Sequence, residues 1–130
     1  MNLAYCGNCC DLCPRYKATE SGNIEDLKKV AILMKKVGWF FNLNNPEKMK
    51  CTGCQDINPC EYSIKECCID RGIKNCSECN NYPCEKIRIA FKKTKKNAQK
   101  FKTLLSKEKY EIFNKAFFMK KENLEQLRKN

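Results

Sequence analysis

The chain has 130 residues, a formal net charge of +11 and a mean hydropathy of -0.67, and it carries 12 cysteines and no histidine. With 42% hydrophobic and 32% charged residues it can build one small domain around a modest core, and no run approaches the ~20 apolar residues of a membrane span. The missing histidine excludes histidine-based triads, sites of two histidines and a carboxylate, and fingers that pair two cysteines with two histidines.

In chain order, residues 1–16 hold four cysteines and no apolar run long enough for a signal peptide. Within them, Cys6, Cys9, Cys10 and Cys13 offer two overlapping registers of metal-ligand spacing. Adjacent side chains such as Cys9 and Cys10 point in different directions, so one of the two is expected to be spare. After Ser21-Gly22, Asn23 can cap a helix with Asp26 at its third position. Ile24, Leu27, Val30, Ala31, Met34 and Val37 follow at helical spacing, and Gly38 ends the run. Trp39, Phe40 and Phe41 read as a hydrophobic plug, and Asn42 to Lys50 as a loop.

Cys51-Thr52-Gly53-Cys54 is the cleanest knuckle, because Gly53 can take a positive φ and turn backbone N–H groups toward the thiolates. Cys60 and Cys67 lie downstream at distances that could complete a four-sulfur site. Ile64 to Arg71 reads as a short helix stopped by Gly72, and Cys76-Ser77-Glu78-Cys79 with Cys84 supplies three more thiols. Pro83 stands where a first helical residue would, opening a long helix through Ile87, Ala90, Phe91, Ala98, Phe101 and Leu105. That helix N-terminus would stabilise negative charge on Cys84. Ser106 can restart the pattern, with Tyr110, Phe113, Phe117 and Leu124 on one stripe. No alternating strand pattern is evident.

Three Cys-x-x-Cys steps, at 10–13, 51–54 and 76–79, point to soft-metal sites, because each lets two thiolates reach one ion across a tight turn. The expected location is the cytoplasm, where thiols stay reduced and cysteine clusters mean metal or catalysis more often than disulfides. Structural zinc contributes on the order of 10–16 kcal/mol of apparent folding free energy, so the cysteine-rich part is expected to need metal for its shape. The expected fold is a small, mainly helical, metal-stabilised cysteine-rich domain with zinc-knuckle-like turns and a C-terminal helical pair. It forms one domain over residues 1–130, with a metal-binding core at 1–84 and a basic helical part at 85–130.

These residues resemble a known family. Cys6, Gly7, Cys10, Cys13 and Pro14; Cys51, Gly53 and Cys54; Ile64, Lys65 and Cys67; and Cys76, Cys79, Tyr82, Pro83, Cys84, Glu85 and Lys86 look like domain of unknown function 3795. That is a cysteine-rich family of bacteria and archaea whose members are thought to bind zinc, and the resemblance covers roughly residues 3–90. It implies metal ligation by Cys6, Cys10, Cys13, Cys51, Cys54, Cys60, Cys67, Cys76, Cys79 and Cys84, more than the eight thiolates that two closed zinc sites need. Cys9 is additional to the family pattern. Ser63 stands where the family often has a cysteine, which leaves that ligand role to Cys60.

Zinc, about two ions, is the expected cofactor, and an iron–sulfur cluster is the alternative, since it also takes four thiolates. The Cys6, Cys10, Cys13 spacing is similar to the cluster motif of radical S-adenosylmethionine enzymes, but a helical chain of this length lacks the barrel they need. No substrate is legible. A spare thiol at Cys9 or Cys68 could be reactive beside lysines, although a plainly buried or unliganded cysteine is the commoner case. Glu108 and Glu111 read as solvated-face charges.

Charge is uneven. Residues 1–84 have a net of +1 and residues 85–130 a net of +10. Two four-thiolate zinc sites would bring the total to about +7 and make the metal-rich part negative. Lys92, Lys93, Lys95, Lys96, Lys100 and Lys102 form a dense basic helix, with Phe91 and Phe101 between them. Residues 85–130 therefore offer a surface for nucleic acid or a protein partner, weighed against a plain solvated lysine face, and no clean apolar face for a membrane. Three function classes follow: a zinc module that binds a macromolecule, an iron–sulfur electron carrier or sensor, and a small metal- or thiol-dependent enzyme.

Overall fold

The computed structural model describes residues 2–39, 45–53 and 62–129. Among these are six α-helices, α1 (Pro14–Ser21), α2 (Ile24–Lys36), α3 (Ile64–Arg71), α4 (Glu85–Leu104), α5 (Lys107–Phe117) and α6 (Lys120–Lys129), and three short 3-10 helices at Cys10–Leu12, Pro46–Met49 and Cys76–Glu78. Pairing between strands is limited, among the described residues, to one isolated antiparallel bridge from Leu3 to Cys9. None of these helices is long and apolar enough to cross a membrane.

Local chemistry explains most helix ends. The Asn23 side chain accepts the Glu25 N–H at 2.9 Å and starts α2, while Val37 and the left-handed Gly38 end it. Ser106 accepts the Lys109 N–H and starts α5, and Gly72, also left-handed, closes α3. Pro14 occupies the first position of α1.

Two sequence expectations change, and one helix had no counterpart among them. Pro83 does not open α4: it follows a cis peptide bond after Tyr82, Cys84 caps the helix, and α4 starts at Glu85. The stripe from Ser106 to Leu124 is two helices, broken at Phe118 and Met119, so the C-terminal part has three helices instead of a pair. The helix α1 carries no apolar stripe, buries Ala18 alone, and went unread for that reason.

As a 20-residue helix, α4 extends about 30 Å and forms the spine of the fold. Its C-terminal half puts Phe101 into one core cluster with Leu27, Val30, Ala31 and Met34 of α2, Met49, and Phe113 of α5. Trp39 lies against this cluster, with ring centroids 4.9 Å from Phe101 and 5.1 Å from Phe117. Aromatic contacts of this kind add about 0.5–1.5 kcal/mol each beyond area burial. Of the expected plug, Trp39 packs here, and Phe40 and Phe41 lie outside the described residues. The N-terminal half of α4 puts Ile87 and Ala90 into a second cluster with Ile64, Cys68, Cys76 and Leu124. Cysteines enter that second cluster as core residues.

Candidate metal centre

Two of the Cys-x-x-Cys steps fold alike. Cys10–Leu12 and Cys76–Glu78 are short 3-10 turns, each closed by an N–H from the second cysteine to the carbonyl of the first. Each step leads to a helix N-terminus: Cys13 caps α1 directly, and Cys84 caps α4 a few residues after Cys79. The third step is half described. Gly53 has φ +115°, as the knuckle requires, while Cys54 and the candidate Cys60 lie outside the described residues.

Long-range hydrogen bonds bring the first and third steps together. Arg15, in the first turn of α1, donates to the carbonyls of Met49 at 3.0 Å and Lys50 at 3.2 Å. Thr19 accepts the Cys51 N–H at 2.8 Å. Cys51 is thereby held beside Cys13, and both are buried. Burial pushes the Cys13 thiol up, and the neighbouring Cys51 adds to that. N–H groups of Tyr16 and Arg15 pull the other way without overcoming it. Cys10 is buried in the same region, and so is Cys9, whose N–H donates to the carbonyl of Ala116.

A second neighbourhood forms around the Cys76–Glu78 turn. The sulfurs of Cys68 and Cys76 are 3.9 Å apart. The hydrogen bond between them pulls the Cys68 thiol down and pushes the Cys76 thiol up. Cys84 and Cys6 also lie close enough to push Cys76 up, after the hydrogen bond and burial. Arg71 sits on the outer side, hydrogen-bonded to Cys67 and also held charged by Cys79 and Cys84.

Of the sequence-predicted ligands, Cys13 and Cys51 come together, with Cys10 in the same buried region, while Cys6, Cys76 and Cys84 gather around Cys68. Cys67 and Cys79 border that second group. Sequence reasoning set Cys68 aside as a spare neighbour of Cys67. Only its burial, 1%, against the half-exposed Cys67 tells the two apart. Among the described residues no three thiols or carboxylates form a ready metal cage. Yet 3.9 Å is close to the edge, about 3.8 Å, of a tetrahedron of thiolates about 2.3 Å from zinc, and far from the roughly 2.05 Å of a disulfide. The donor set is soft, histidine-free and suited to zinc or iron.

The C-terminal helices hold both cysteine regions by contacts to main chain. Asn123 donates to the Gly7 carbonyl at 2.9 Å, and Arg128 donates to the carbonyls of Ser77 and Cys79, both at 3.0 Å. The Arg128 guanidinium also lies 4.9 Å from the centre of the Tyr82 ring. Burial, then the nearby Glu125 carboxylate, pushes the Tyr82 phenol up to about 12.

No curated protein and no solved structure gives a significant match to the chain. The profile of one family, described as protein of unknown function (DUF3795), matches residues 2–89, from the first cysteine segment into α4. With its cysteine-rich stretch matched in full, the chain belongs to that DUF3795 family.

Proposed function

We propose that this protein is a zinc-binding module in which thiolate-held ions staple the fold, leaving the lysine face of α4 to meet a polyanionic partner. The observation that carries the metal reading is the convergence of thiols from separate segments, above all Cys68 and Cys76 at a tetrahedral-edge spacing. Cys13 with Cys51 supports a second ion, because hydrogen bonds from separate segments hold these two thiols side by side and buried. Zinc bound by four thiolates is redox-inert and closed, so its contribution there is structural. Cys10, Cys13 and Cys51 would serve one ion, with Cys54, outside the described residues, as the candidate fourth thiolate. Cys76, Cys84 and Cys6 would serve the other, with Cys68 in the place first given to Cys67.

Metal analysis with an ultraviolet–visible spectrum, on protein purified without oxygen or chelator, tests this. The expected protein is colourless with about two zinc ions per chain. Cys13→Ser and Cys76→Ser each lose about one ion and melt at lower temperature, and Cys9→Ser loses none. Metal-free, folded protein would overturn the reading. A brown protein with iron and acid-labile sulfide would replace zinc with an iron–sulfur centre.

A further inference from the structure

The outer side of α4 carries its cations in rows. Positions seven apart on an α-helix drift by only about 20°, so they stack into a line along it. Arg88, Lys95 and Lys102 form one such line, all exposed. Lys86 and Lys100 lie in another, also exposed, on the opposite edge of the solvent face. Lys93 stands in that second line and already lies over the Tyr62 ring, 5.8 Å from its centre. Each line runs about 21 Å. Between the two, a ridge of Ile89, Lys92, Lys96, Gln99 and Thr103 faces outward, with Ile89 53% exposed.

The charge of these rows is not cancelled locally. Glu85, at the first position, is the one acid of α4. Among the described residues no carboxylate pairs with Arg88, Lys95, Lys102, Lys86 or Lys100.

Two rows of positive charge flanking a ridge match two rows of negative charge flanking a groove. A helix with its side chains is about 10–12 Å across, and the major groove of B-form DNA is about 12 Å wide with a phosphate backbone on either rim. Other nucleic acids fit this face less well. The major groove of an RNA duplex is deep and narrow. Single strands are held largely by bases stacked on aromatic rings, and every aromatic side chain among the described residues is wholly or partly buried.

Resting on the polyanion reading of α4, we infer that this helix lies along the major groove of double-stranded DNA. Each cation row meets one phosphate backbone, and Ile89 and Gln99 face base edges. Lys92 and Lys96, on long flexible stems, reach phosphates on either side.

Fluorescence anisotropy with the full, metal-retaining chain at about 50 mM salt tests this. The labelled probes are a DNA duplex of about two helical turns, the RNA duplex of the same sequence, and one DNA strand alone. The DNA duplex should bind about tenfold more tightly than either of the others. Changing Arg88, Lys95 and Lys102 to Gln, or Lys86 and Lys100 to Gln, should each weaken it about tenfold and lower the salt slope by about three and about two. Metal content and melting temperature should stay unchanged in both variants. Netropsin, which fills the minor groove, should not compete, whereas glucosylated hydroxymethylcytosine, whose sugar fills the major groove, should weaken binding about tenfold. An effect confined to one row, equal binding of the single strand or RNA duplex, or indifference to the filled major groove would overturn the inference and leave α4 a polyanion surface. No binding to any of the three probes would remove the polyanion reading and the inference with it.

Discussion

Gly7 shows how tightly a single residue is specified here. A Cβ at that position would stand 2.6 Å from the Lys120 carbonyl oxygen and 2.9 Å from Leu124 Cγ, and the backbone sits at φ +97°. The obstacle is main chain, which cannot swing aside, and the left-handed conformation adds strain of its own. Gly7→Ala should therefore destabilise the protein by on the order of 2–3 kcal/mol, read as a lower midpoint of denaturation. A change within 0.5 kcal/mol would show that the N-terminal turn and α6 are not packed as described. Gly7 was legible in the sequence only as part of a cysteine motif. Its partner lies more than a hundred residues away, and no local pattern carries that information. The same limit applied to Cys67 and Cys68. Adjacent thiols do point apart, as expected, but which of them faces Cys76 is decided by the packing of α3 on α4. Spacing picked out the thiols, and tertiary structure paired them.

Among the elements, α2 and α5 were readable because a capping side chain and apolar spacing agree, α3 by its closing Gly72, and α4 by its spacing alone. The α5–α6 break was hidden because Phe113, Phe117 and Leu124 keep helical spacing across it. That break allows α6 to turn onto the Cys76–Cys79 step, with Tyr82, Glu125 and Arg128 at the joint. A phenol raised from its ordinary 10 to about 12 favours the folded state while neutral. Its contribution is complete below about pH 10 and is lost as pH rises through about 12. Spectrophotometric titration should show one tyrosine ionising near pH 12, absent in Tyr82→Phe and lowered in Glu125→Gln, whose charge and hydrogen bond help raise it. A titration left unchanged by Tyr82→Phe at its high-pH end would mean that α6 does not close this joint in solution.

At the scale of the whole molecule, α4 turns Phe101, Ile87 and Ala90 inward, while Lys92, Lys95, Lys96 and Lys102 remain exposed together with Ile89 and Leu104. A polyanion docking on this face would be met by the ammonium groups. Binding to a short nucleic acid should accordingly be electrostatic. Its affinity should fall steeply with salt, and changing Lys92, Lys95 and Lys96 to Gln should flatten the salt dependence by about three phosphate contacts. No affinity at low salt would remove nucleic acid as the partner.

The grip of the C-terminal helices on the cysteine turns is made through carbonyl oxygens of Gly7, Ser77 and Cys79, and Arg15 grips Met49 and Lys50 in the same way. A carbonyl is offered by every residue type, so these attachments are blind to the side chains they hold. The side chains at Ser77, Lys48 and Lys50 can therefore change without removing the carbonyls that these attachments use. The surface around the thiols can be rewritten for a new partner while the frame beneath it is inherited unchanged.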